Sequence, residues 1–104
     1  MTWTEYMASL GYEVKTTFWE DFSIAERFGA NAIKETYERV YNEWKNDVVY
    51  WTELVMVLNH KIWEFYEHDQ KIAKVYNTLW LGADEYALNT FKGEDLDYFL
   101  STVD

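Results

Sequence analysis

From Ala30 to Asn46 the apolar residues Ile33, Tyr37, Val40, Tyr41 and Trp44 recur at spacings of four, three, one and three, which lays them along one face of a helix. The next stretch, Val48 to Glu67, carries two such rows. Trp51, Leu54, Val55, Leu58, Ile62, Phe65 and Tyr66 form one, and Val49, Met56 and Trp63 form another. A helix apolar on two sides belongs in the middle of a bundle, or it turns its second face to a partner. Residues 69 to 92 repeat the helical period through Ile72, Val75, Tyr76, Leu79, Ala83, Tyr86, Ala87 and Phe91, begun by Asp69 and ended by Gly93. A last helix of about 94 to 102 packs Leu96, Phe99 and Leu100.

Upstream, Thr17 and Glu20 make a capping box for a helix of about 18 to 28, whose inner face is Phe18, Phe22, Ala25 and Phe28. Thr2 and Glu5 make another, leading into a short helix of about 3 to 10 that closes at Gly11, followed by an extended Tyr12 to Thr16. Gly11, Gly29 and Gly93 punctuate helix ends. Gly82 interrupts a continuing pattern and reads as a close helix contact or a local bend. The expected fold is all-α: one domain over residues 1 to 104, a bundle of five to six helices, with the core over about 18 to 102.

Charge changes the picture from fold to partner. Nineteen acids stand against nine bases, a net of −10. Residues 1 to 26 hold five acids and one lysine (−4), residues 27 to 83 eight acids and seven bases (−1), and residues 84 to 104 six acids and one lysine (−5). The surplus lies at the two ends, and if those ends meet on the bundle they make one acidic face. Such a field repels phosphate backbones and anionic lipid and attracts a basic protein surface. Direct nucleic-acid binding and membrane binding are therefore disfavoured. Solubility alone also explains an acidic surface.

There is no cysteine, hence no disulfide, thiolate nucleophile or cysteine-based metal site. That fits the cytoplasm, as does an N-terminus without the basic start and apolar run of a signal peptide. His60, Glu64 and His68 share a helix face at four-residue intervals, but they match no metal-binding motif, and a solvated face explains them. Glu94, Asp95 and Asp97 lack the pattern of a calcium loop, and the first two suit a helix N-terminus. No Gly-rich phosphate loop or nucleophile elbow is present. The reading is of a binding protein without metal or cofactor, not of an enzyme.

Twenty-one aromatic residues exceed what the stripes need. Trp3, Tyr12, Trp19, Tyr50, Trp63 and Trp80 lie off the main rows, as closing pieces of an aromatic core or as anchors of an interface.

The segments TTFWEDFSIAERFG (16 to 29), YNEWKND (41 to 47) and ELVMVLNHKIWEFYE (53 to 67) resemble those of uncharacterised small proteins of gut bacteria, their prophages and other mobile elements. The resemblance implies a setting in which small acidic domains inhibit host defence, anti-CRISPR proteins and nucleic-acid mimics among them. The expected function is an inhibitor that binds a basic protein surface, such as the groove of a nucleic-acid enzyme. The carboxylates are Glu13, Glu20, Asp21, Asp84, Glu85, Glu94, Asp95, Asp97 and Asp104, and the anchors are Trp3, Trp19 and Trp63. One alternative is an oligomer that sequesters a nucleotide signal with Arg27, Lys34, Arg39, Lys45, Lys61, Lys71 and Lys74. Another is an assembly component of a mobile element.

Overall fold

The computed structural model describes residues 18 to 103. The expected N-terminal helix of 3 to 10, and with it Trp3, Tyr12, Glu13 and Asp104, lies outside the described residues. Five helices follow in order: α1 (Phe18–Glu26), α2 (Ala30–Trp44), α3 (Val48–Phe65), α4 (Gln70–Thr90) and α5 (Gly93–Val103). They account for 86% of the described residues, and no strand occurs among them.

The helix starts are written locally. The Asp47 carboxylate accepts from the backbone N–H groups of Val49 and Tyr50 at 3.1 and 3.2 Å. Asp69 does the same for Lys71 and Ile72 at 3.1 and 3.2 Å. Each satisfies N–H groups that the helix itself leaves unpaired. Gly29 sits between α1 and α2 at φ 106° and Gly93 opens α5 at φ 57°, both in the region that a side chain disfavours. Gly93 thus begins the last helix, while α4 already stops at Thr90 with buried Phe91 as its cap. Gly82 is neither a contact nor a break, since the helix runs through it and a Cβ there would meet nothing within 4 Å.

The core is built around α3, which packs most extensively on α4, then on α5, and whose remaining side takes α1. Its inner row Trp51, Leu54, Val55 and Leu58 is buried, as the pattern predicts. Trp51 anchors the interior: its indole N–H donates to the Ala83 carbonyl at 3.0 Å, and its ring meets Tyr41 and Tyr86 at 5.8 and 4.8 Å. Ala83 and Ala87, both wholly buried, leave room for that ring against α4. α2 leans on α1 and α4 through Ile33 and Val40.

Phe28 departs from the expected inner face, being 79% exposed. After Glu26 the chain tightens, with Arg27 and Phe28 N–H groups bonding three residues back to Ile24 and Ala25. The tighter turn rotates Phe28 off the stripe. The second row of α3 is also uncovered, with Val49, Met56 and Trp63 all exposed. Tyr50 and Trp80, by contrast, pack against the core.

Candidate functional site

The uncovered row of α3 is the floor of a groove of about 310 Å³. α3 contributes Val49, Thr52, Glu53, Met56, Val57 and His60, α1 adds Trp19 on one side, and α5 adds Tyr98 and Thr102 on the other. The first and last described helices therefore border the same cleft. On α5, exposed Glu94 and Asp95 stand one helical turn before Tyr98, on the helix face that borders the groove.

Trp19 is held by a buried ionic cluster beneath it. The Lys61 ammonium, whose residue is only 1% exposed, lies 4.4 Å from the Trp19 ring centre and donates to Ser23 Oγ at 2.9 Å. It pairs with Glu26 at 2.8 Å and with Glu64 at 3.3 Å. Its three N–H donors thus have three oxygen partners and its charge faces an aromatic ring. The Tyr76 hydroxyl donates to the same Glu26 Oε1 at 2.6 Å. Burial first, and then that hydrogen bond and the Glu26 and Glu64 charges, push the Tyr76 phenol well above its usual range. His60 completes the surroundings, its ring edge-on to Trp19 at 5.9 Å.

Glu53 has a different environment. It lines the groove half-buried among apolar neighbours, and among the described residues no hydrogen bond or ion pair reaches it. Burial raises its carboxyl above the ordinary range. Its carboxylate lies on the groove wall, with no cation beside it among the described residues.

The other expected site residues are distributed more widely. Asp21 turns to α2 and pairs with Arg39 at 3.2 Å; burial raises its carboxyl, Arg39 opposes that, and Glu20 and Glu43 add to it. Glu20 is half-buried beside Trp19, and Asp84 and Glu85 lie on α4 outside the groove. Asp97 is exposed on α5. Trp63, 66% exposed, extends the apolar row past the groove and meets Tyr66 at 5.6 Å. Among the described residues no three histidine or carboxylate side chains converge on a position for a metal ion. His60 and Glu64 are engaged by Trp19 and Lys61 instead.

Glu53 is absent from the residues that the sequence pattern singles out, and Lys61 appears there only among the bases of the alternative nucleotide site. A signal for Lys61 existed: with Leu54, Leu58 and Phe65 it falls at core spacing, so a lysine there must be buried and paired. For Glu53 none existed, because its setting depends on α1 and α5 lining one groove with α3.

Other concavities lie among the described residues. Phe28 and Ile24 form the exposed corner of a cleft of about 430 Å³ with Asp21, Glu35 and Arg39. Lys34 and Lys74 share a groove of about 500 Å³ with Tyr37, Val75, Thr78 and Leu79, where burial, followed by the Tyr41 and Tyr86 charges, pushes the Tyr37 phenol up to about 12. Among the described residues no helix is long and apolar enough to cross a membrane. Comparison of the chain with protein-family models, curated proteins and solved structures matched nothing.

Proposed function

We propose that the protein is a small acidic binding module whose partner is a basic protein surface, and that it acts as an inhibitor of a nucleic-acid enzyme of host defence. The observation that carries the reading is the groove lined by α1, α3 and α5: an apolar floor with Glu53 in its wall, and exposed Glu94 and Asp95 one helical turn before Tyr98 on α5. An apolar centre with charged margins is the general anatomy of a protein interface. The resemblance to small proteins of mobile elements supports the inhibitor setting.

Carboxylates at the margin act chiefly on association rate. Glu94→Gln, Asp95→Asn and Asp97→Asn together should slow association and weaken binding by about tenfold, while a change of Lys34 and Lys45 to glutamate should leave it intact. Lys61 does not belong in that control, because reversing a buried charge would unfold the chain. The test is capture on the immobilised protein from lysate of the host bacterium at low and raised salt, with mass spectrometry and with both variants in parallel. Captured proteins that are basic, released by salt and lost with the triple variant support the reading; binding indifferent to salt and to all three carboxylates refutes it.

A second reading, capture of a phosphorylated nucleotide, has one observation in its favour. Lys34 and Lys74 bring two cations to a groove that Tyr37 also lines. Calorimetry with cyclic nucleotides tests it directly.

A further inference from the structure

We infer that the groove over α3 takes an amphipathic helix of the partner, one that lays an apolar row on Val49, Met56 and Trp63 and points a lysine or arginine at Glu53. The inference rests on the reading of the protein as a binder of basic protein surfaces and specifies what part of such a surface it grips.

Three features select this occupant. The exposed row repeats every seven residues along α3, at Val49, Met56 and Trp63, the spacing with which one helix meets another along a seam. From Val49 to Trp63 the row runs ~21 Å at 1.5 Å per residue, which matches about four turns of a docked helix. Trp19 of α1 and Tyr98 of α5 line the same groove as Val49 and Met56, adding aromatic surface from two further helices to the row.

The charge pattern then selects the chemistry of the occupant. Beside the apolar row runs a second, Glu53 and His60, also seven apart and also lining the groove. In paired helices such flanking positions choose the partner by charge. Among the described residues Glu53 has no cation partner, and no lysine or arginine lines the groove. The Lys61 ammonium beneath Trp19 is already engaged by Ser23, Glu26 and Glu64. A cation from outside would neutralise a carboxylate that burial otherwise leaves at a cost. A second copy of this chain is a poorer match, because each copy carries a net charge of −10.

The experiment uses the full chain and synthetic peptides of about 18 residues, long enough to cover the row. One is an amphipathic helix with a leucine row flanked by lysines. A second has the same composition with the row scrambled, a third carries glutamate for lysine, and a fourth is residues 1 to 17 of this chain. Fluorescence anisotropy of labelled peptides gives the affinities. The basic amphipathic helix should bind, and the scrambled peptide should bind at least about tenfold more weakly.

Glu53→Gln should weaken the basic peptide by about fivefold, with no effect on the acidic one. Met56→Glu should weaken it by more than about tenfold, while the circular dichroism spectrum stays unchanged. Equal binding of the scrambled peptide, or indifference to Glu53→Gln, overturns the inference. So does tighter binding of peptide 1 to 17, or a dimer in sedimentation that Met56→Glu dissolves, since each assigns the groove to another occupant. If lysate capture depends on Glu94, Asp95 and Asp97 while no peptide binds, the inference fails and the broader reading stands. If the basic helix binds but capture ignores those carboxylates, the broader reading fails and the groove assignment survives.

Discussion

Replacing Lys61 by methionine is the sharpest perturbation of the fold, because it removes one cation and leaves its counter-charge in place. Methionine matches the lysine stem closely, so packing around α3 is preserved and the effect is electrostatic. In the variant the Glu26 carboxylate, whose side chain is only 15% exposed, loses its 2.8 Å ion pair and keeps, among the described residues, the hydrogen bond from Tyr76. Ser23 loses its donor and Trp19 the cation beneath its ring. Breaking a buried pair from one side costs ~3 to 5 kcal/mol, and the surviving Tyr76 bond places this case near ~3 kcal/mol. The exposed Glu64 adds little. For a domain of this size that loss lowers Tm by ~12 °C or more.

Urea unfolding followed by far-ultraviolet circular dichroism measures it, with unchanged m confirming that only stability moved. The double variant Lys61→Met with Glu26→Gln should recover at least ~1.5 kcal/mol, since a neutral amide still accepts from Tyr76 without leaving a charge unpaired. A single-variant cost below ~1 kcal/mol, or a double variant equal to the sum of its parts, would refute the argument that the pair is coupled in the interior.

Two other outcomes follow from local chemistry. Asp47→Ala and Asp69→Ala should each cost ~1 kcal/mol, and additively, because they cap different helices; strong non-additivity in the same unfolding assay would contradict independent caps. Glu53 has its folded carboxyl raised, so the stability it contributes is fully present below the ordinary carboxyl range and is lost as pH rises through the raised value. Glu53→Gln should therefore match the parent near pH 3 and melt at the same or a higher temperature at pH 7; a lower Tm at pH 7 would show that Glu53 serves the fold.

The helices were legible because their information is local. The periodicity of Ile33 to Trp44, the acid at Asp69 and the double row of α3 each follow from residues three or four apart, and the double row predicted both the most buried helix and a face left over. Phe28 departs from the stripe because the pattern extrapolates past the point where hydrogen bonding tightens; two residues beyond the helix end at Glu26 the periodicity no longer applies. Lys61 falls among the bases of the nucleotide alternative because charge totals treat every lysine alike, although its core spacing with Leu58 and Phe65 marks it as buried. The groove was illegible for a different reason. It exists only where residues from positions 19, 53 and 98 meet, and such sequence separations leave no pattern along the chain. Of the carboxylates expected on an acidic face, Asp21 pairs with Arg39 of α2, a partner far along the chain that charge totals do not reveal.

The central claim is that partners are recognised in the groove between α1 and α5. Nitrogen–proton correlation spectra of the full-length protein, titrated with the basic amphipathic peptide and with each captured protein, test this most directly. The account predicts the largest shifts at the Trp19 indole and at the amides of Val49, Glu53, Met56, Tyr98 and Thr102, all weakened by Met56→Glu. Shifts concentrated instead around Lys34, Tyr37, Lys74 and Thr78, with the α3 groove silent, would contradict it.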